Sequence, residues 1–185
     1  MRSTRTNRGW AAMMIAVISM MLAAAIAAPA QAQTYRILYS FAAGMDGSQP
    51  SASLVRDPAG NLYGTTFQYT AFNAGTVFQV DRTGKETVLY SFTGGAGGGQ
   101  PFAGVILDAA GNLYGTTQFG GTDGQGVVYQ VSPDGQETVL HSFTGGADGG
   151  SPVASVTFGP KDDLYGTAEN GGANGDGAIF KVTPR

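Results

Sequence analysis

The segment Leu38-Tyr39-Ser40-Phe41 returns as Leu89-Tyr90-Ser91-Phe92 and again as Leu140-His141-Ser142-Phe143, each time 51 residues further on. Leu62-Tyr63-Gly64-Thr65 recurs in the same way at Leu113 and Leu164, Pro50 at Pro101 and Pro152, and Val77-Phe78-Gln79-Val80 at Val128 and Ile179. A fixed period of this length, free of insertions, restricts the chain to architectures in which one supersecondary unit stacks on copies of itself. Three units, 34–86, 87–137 and 138–185, form one repeat domain over 34–185.

Within the second unit, short apolar and β-branched runs at 102–107, 113–117, 127–131 and 138–143 predict four strands. Turn residues separate them. Asp108-Ala109-Ala110-Gly111-Asn112 and Pro133-Asp134-Gly135-Gln136 supply the Gly and Asn that tolerate the positive φ of tight hairpins. The 30 glycines of the chain fit a fold rich in turns, and no segment carries a helical apolar stripe. A four-stranded meander at this period predicts an all-β fold of three four-stranded propeller-like blades, an open arc in one chain or half of a six-bladed ring. A β-solenoid is the structural rival, disfavoured because its coils are usually shorter and lack these hairpin turns.

The same residues resemble the GloVer tandem repeat of secreted bacterial proteins. The matching text is Asp108-Ala109-Ala110-Gly111-Asn112-Leu113-Tyr114-Gly115-Thr116-Thr117, then Gly120-Gly121, then Gly126-Val127-Val128-Tyr129. The likeness covers essentially all of 34–185 and implies an exported, propeller-like repeat protein, with no catalytic residues to carry over. Unit three departs from it at Gly159-Pro160-Lys161-Asp162-Asp163, and unit one replaces the Gly-Gly loop with residues 69–73.

Residues 1–32 read differently. Arg2, Arg5 and Arg8 precede an uncharged apolar run from Trp10 to Ala28, followed by Pro29 and the small-residue site Ala30-Gln31-Ala32. That order predicts a secretory signal peptide cut after Ala32, leaving no membrane span and placing the protein in the secreted or periplasmic space; a retained anchor is the alternative, since the run approaches spanning length. Loss of the three arginines takes the formal charge from −3 to −6. An acidic chain without a basic stripe is a poor nucleic-acid binder. There is no cysteine, which excludes disulfides, thiol catalysis and thiolate metal sites.

Successive connections of a meander alternate between two sides. The tight turns after Asp57, Asp108, Asp81 and Ser132 therefore share one side, and the long loops 42–51, 93–102, 144–151, 67–74, 118–125 and 169–176 share the other. Binding groups concentrate on loops held by a rigid scaffold. The ligand-binding candidates there are Asp46, Asp123, Asp148, Glu169, Asn174 and Asp176, with Tyr69 and Phe119 as stacking platforms. Turn chemistry accounts for any one of these Asp and Asn residues equally simply.

No cofactor is expected, and neither Asp123-Gly124-Gln125 nor Asn174-Gly175-Asp176 supplies the 6 to 8 oxygens calcium needs. His141 stands where the other units have Tyr39 and Tyr90, which reads as packing, and no histidine accompanies Ser40 or Ser91. Tyr63, Tyr114 and Tyr165 repeat, as surfaces between blades must.

Two functions remain: a non-enzymatic exported module binding an extracellular ligand, a glycan or envelope component, and a carbohydrate hydrolase or lyase using loop carboxylates. A fragment of a longer protein with structural use is a third. On this phasing the last unit lacks its outer strand while Thr34–Phe41 is a strand without a blade. Three blades fall short of the usual 4 to 8. A head-to-tail homodimer exchanging Thr34–Phe41 would close six; an open monomer or a fragment is the alternative.

Overall fold

The computed structural model describes residues 33–68 and 72–184. The signal peptide expected over 1–32 and the candidate Tyr69 lie outside the described residues. The chain divides between Ile37 and Leu38. Of the first part, residues 33–37 are described; they are exposed and carry no strand.

From Leu38 onward the backbone forms antiparallel sheets. The first holds β1 (Val55–Arg56), β2 (Leu62–Thr66), β3 (Thr76–Val80) and β4 (Glu86–Ser91), in that order. The second repeats it with β5 (Ile106–Leu107), β6 (Leu113–Thr117), β7 (Val127–Val131) and β8 (Glu137–Ser142). The third has β9 (Thr157–Phe158), β10 (Leu164–Ala168) and β11 (Ala178–Val182), with a short 3-10 turn at Pro160–Asp162. The fold is thus all-β and propeller-like, with the last sheet one strand short. Among the described residues no helix is long and apolar enough to cross a membrane.

The sheets stack through their apolar faces. Val77 on β3 and Val105, just before β5, share one core cluster with Phe92, Leu113 and Tyr129. Val128 and Val156 repeat the arrangement one unit later, with Phe143 and Leu164. All of these are 5% exposed or less. Ring packing repeats too: Phe92 meets Tyr129 edge-on at 5.0 Å, and Phe143 meets Phe180 at 5.0 Å. Hydroxyls stitch adjacent units where apolar contact stops, with Thr65 donating to the Ala103 carbonyl at 2.9 Å and Thr116 to that of Ala154 at 3.1 Å.

The inner strand is shorter than the sequence predicts: the expected run 102–107 pairs only at Ile106 and Leu107. Ala103 to Val105 are buried by a neighbouring unit instead of by a ladder. Gly104 lies so close to the Ser53 carbonyl that a Cβ there would sit 2.5 Å away, and Ser155 donates to the Gly104 carbonyl at 3.0 Å. Phe102 is accordingly outside any strand and 47% exposed. The strand expected over Thr34–Phe41 is also not formed, since a strand requires a paired edge and residues 33–42 have none.

The third unit's altered turn is a structural substitution. Asp57 and Asp108 become Gly159, and the carboxylate reappears at Asp163, where the other units carry Asn61 and Asn112. Lys181 donates to Asp163 at 2.9 Å, and Thr183 donates to its other oxygen. These partners hold the Asp163 carboxyl below the usual range.

Candidate functional site

The side of the sheets carrying the long loops is built by pairing loop to loop. Ser48 bridges Gln68, Gly99 bridges Phe119, and Gly150 bridges Asn170. In each unit the loop that follows an outer strand is therefore zipped to the loop between the second and third strands of the next sheet. The tips are pinned as well, Thr122 donating its amide to the Ser142 hydroxyl at 2.8 Å. On the opposite side the tight turns lie together, with Gly60 against Arg82 and Gly111 against Pro133. The two-sided sorting expected from strand parity holds.

The carboxylates fall into two groups. Asp46 accepts from the Tyr39 hydroxyl at 2.9 Å and from the Ala42 and Gly44 amides at 2.9 and 3.0 Å. Burial opposes its ionisation, yet these bonds outweigh burial and lower its pKa, while the same bond pushes the Tyr39 hydroxyl up to about 12. Asp148 repeats the pattern, accepting from the Thr144 amide and hydroxyl and lying 3.1 Å from the His141 Nε2. Both carboxylates hold their own loop closed. Asp123 and Asn174 are instead exposed at the turns of their loops, Glu169 is exposed just after β10, and Asp176 is exposed where its loop bridges back to Gly171.

Asp57 and Asp108 on the turn side act like Asp46. Asp108 accepts from the Ala110 and Asn112 amides at 2.9 and 2.8 Å, from the Asn112 side chain at 2.8 Å and from the Tyr114 hydroxyl at 3.0 Å. Burial again works against ionisation, and the bonds prevail, so its carboxyl sits below the ordinary value. Tyr63 and Tyr114, expected only to pack between blades, thus also tie the turn.

An expected outcome separates the groups. Asp108→Ala strands several backbone donors and should cost about 2 kcal/mol, whereas Asp123→Ala should stay within about 0.5 kcal/mol. Because the Asp108 pKa is depressed on folding, its contribution is complete above the unfolded value of about 4 and disappears as pH falls through the folded value. Urea unfolding at pH 7 and pH 3 should show the gap between wild type and Asp108→Ala shrinking at the lower pH.

Phe119 is 46% exposed beside its bridge to Gly99. The structure adds three apolar side chains that the sequence reading passed over: Met45, Phe72 and Phe102, exposed by 86, 63 and 47%. Phe102 stacks edge-on against Phe67 at 5.4 Å. The signal for them lay in the repeat itself, since Phe72 stands where the other units have Asp123 and Asn174, and Phe102 where they have Ser51 and Val153. Phe72 is a large apolar residue at a loop position whose counterparts are polar, while Phe102 packs on Phe67, which itself stands where the other units have Gln118 and Glu169.

The family model described as the Gloeobacter/Verrucomicrobia repeat matches residues 26–185. A search of curated proteins finds no match. Among solved structures, a luciferin-regenerating enzyme is 19% identical with a TM-score of 0.47, over 72% of this chain and 44% of its own. A protein proposed to be a gluconolactonase is 15% identical with a TM-score of 0.42, over 71% of this chain and 47% of its own. The chain spans less than half the length of either structure.

Proposed function

The chain belongs to the Gloeobacter/Verrucomicrobia repeat family, and from that footing we propose that it is an exported, non-enzymatic binding module whose loop side takes up a glycan of the extracellular or envelope space. The observation that carries this reading is the company kept by Phe72, Phe102 and Phe119. They are exposed on the loops of the same side as the exposed Asp123, Glu169, Asn174 and Asp176. Sugar rings offer apolar CH faces rimmed by hydroxyls. Aromatic rings cover the first, and carboxylates and amides accept from or donate to the second.

Binding is favoured over turnover by where the unusual carboxyls lie. Glycosidic cleavage needs two carboxyl groups flanking one bond, one of them with a raised pKa. Burial raises Glu86 and Glu137, but each belongs to a separate sheet junction. Tyr90 donates to Glu137 at 3.4 Å, a contact between outer strands and not between loop tips.

The test is a polysaccharide array probed with wild type and with a Phe72→Ala, Phe102→Ala, Phe119→Ala triple variant. Affinity for the bound glycan should drop at least tenfold in the variant, with little change in its urea midpoint, and prolonged incubation should release no new reducing ends. Unchanged affinity would remove the loop side as the binding surface; release of reducing ends would make the protein a hydrolase or lyase.

A further inference from the structure

The middle unit departs from its neighbours at one loop position. The repeat places Asp46 there in the first unit, Asp148 in the third and Gly97 in the second. In the first unit the carboxylate is the centre of its loop: Asp46 accepts from the Ala42 and Gly44 amides at 2.9 and 3.0 Å and from the Tyr39 hydroxyl at 2.9 Å. In the third, Asp148 accepts from the Thr144 amide at 3.1 Å and from the Thr144 hydroxyl, with the His141 Nε2 also at 3.1 Å. The chain thus shows twice that this loop gathers a carboxylate.

The middle unit keeps the donors and omits the acid. Thr93, Gly95 and Tyr90 stand at the positions of Ala42, Gly44 and Tyr39. Among the described residues, neither the Thr93 nor the Gly95 amide donates to any group of the chain. The Tyr90 hydroxyl reaches Glu137 of the next sheet at a long 3.4 Å. Residues 93–96 are exposed, and at the same place in its own loop the Asp148 side chain is 30% exposed, so the spot is open to solvent. Gly97 has no positive φ, so its backbone does not require a glycine.

A group entering there meets Glu137, whose Oε2 lies 3.2 Å from the point a Cβ on Gly97 would occupy, with the Tyr90 hydroxyl at 3.1 Å. The first unit shows that such a neighbour is tolerated. Glu86, the counterpart of Glu137, has its pKa raised by burial and then by the charge of Asp46. Burial works against Asp46 too, but its amide and hydroxyl donors outweigh burial and its pKa is lowered. Neutral donors therefore hold a carboxylate beside a glutamate, and the glutamate is the group that gives way.

We propose that the loop 93–98 is a carboxylate-binding site, filled by a uronic-acid carboxylate of the glycan taken up on the loop side; the sugar rests on the binding reading above, the carboxylate on the loop itself. The Thr93 and Gly95 amides and the Tyr90 hydroxyl each donate to the incoming carboxylate, as their counterparts do to Asp46. The same loop runs on through Gly99, which bridges Phe119, to Phe102, so the segment that recognises the acid also carries stacking rings.

The probes are sodium glucuronate and glucose, titrated into isotope-labelled protein and followed by amide NMR. Glucuronate should shift the Thr93 and Gly95 resonances along saturating curves, and glucose should leave them in place. Gly97→Asp supplies the acid of the other two loops; it should fold as wild type does by circular dichroism and abolish both shifts. Tyr90→Phe should weaken glucuronate binding about tenfold, and Glu137→Gln, which removes the neighbouring acid and keeps its shape, should strengthen it several-fold. Equal responses to the two sugars, or glucuronate binding that survives Gly97→Asp, would overturn the proposal. The glycan reading fails separately. Glucuronate held at Thr93 and Gly95 with no glycan retained on the array upholds the carboxylate site and removes the sugar; a neutral glycan bound through Phe72, Phe102 and Phe119, with these amides unmoved by glucuronate, does the reverse.

Discussion

Phe143→Ala is expected to lower stability by about 3–5 kcal/mol, among the largest effects a single side chain can have in a domain of this kind. The ring is fully buried between the second and third sheets. It stands edge-on to His141 at 4.7 Å and to Phe180 at 5.0 Å, inside the cluster that also holds Val128, Val156 and Leu164. Removing it leaves a cavity that neither sheet can collapse into without breaking its ladder. Phe92→Ala, at the same repeat position and equally buried, should cost a similar amount, and Phe41→Ala less, because Phe41 is only half-buried. Urea midpoints for the three variants should follow that order. Equal losses at all three positions would mean that the repeat, and not burial, sets the cost.

Gly126→Ala should cost on the order of 3 kcal/mol, well above the loss from glycine's conformational freedom alone. Its φ is +92°, and an added Cβ would sit 2.2 Å from the Thr117 carbonyl oxygen and 2.8 Å from Pro152 Cδ. Both neighbours are fixed, the first by the β6 ladder and the second by the adjoining unit. Gly124 provides the control. It also has a positive φ, +74°, but nothing lies within 4 Å of its Cβ position, so Gly124→Ala should cost only about 1 kcal/mol. Thermal unfolding of the pair separates steric closure from backbone preference, and similar losses in both would contradict the close packing of loop against sheet.

The longer strands of the sheets were legible because their cues are local: β-branched runs such as Val127–Val131 bounded by Gly and Asn turns. The inner strand was not, because Ala103 to Val105 are buried by a neighbouring unit, and an apolar run looks the same whether a ladder or a packed backbone covers it. The same limit applied to the site. Asp46 and Asp123 are both loop aspartates in sequence, and only the amides of Ala42 and Gly44 distinguish the one that closes its loop from the one left at a tip. Asp163 and Lys181 could not be paired from sequence, being 18 residues apart, the first just before β10 and the second on β11, where the register of the two strands decides the contact. Phe72 and Phe102 were within reach, had the repeat been read for what each unit changes as well as for what it keeps.

That the loop side is the binding surface is tested most directly by hydrogen exchange with and without the glycan selected on the array. Bound ligand should slow exchange in 118–125 and 169–176 and around Phe72 and Phe102, leaving the turns at 57–61, 81–85, 108–112 and 132–136 unchanged. Protection confined to those turns, with the long loops exchanging as before, would contradict the account.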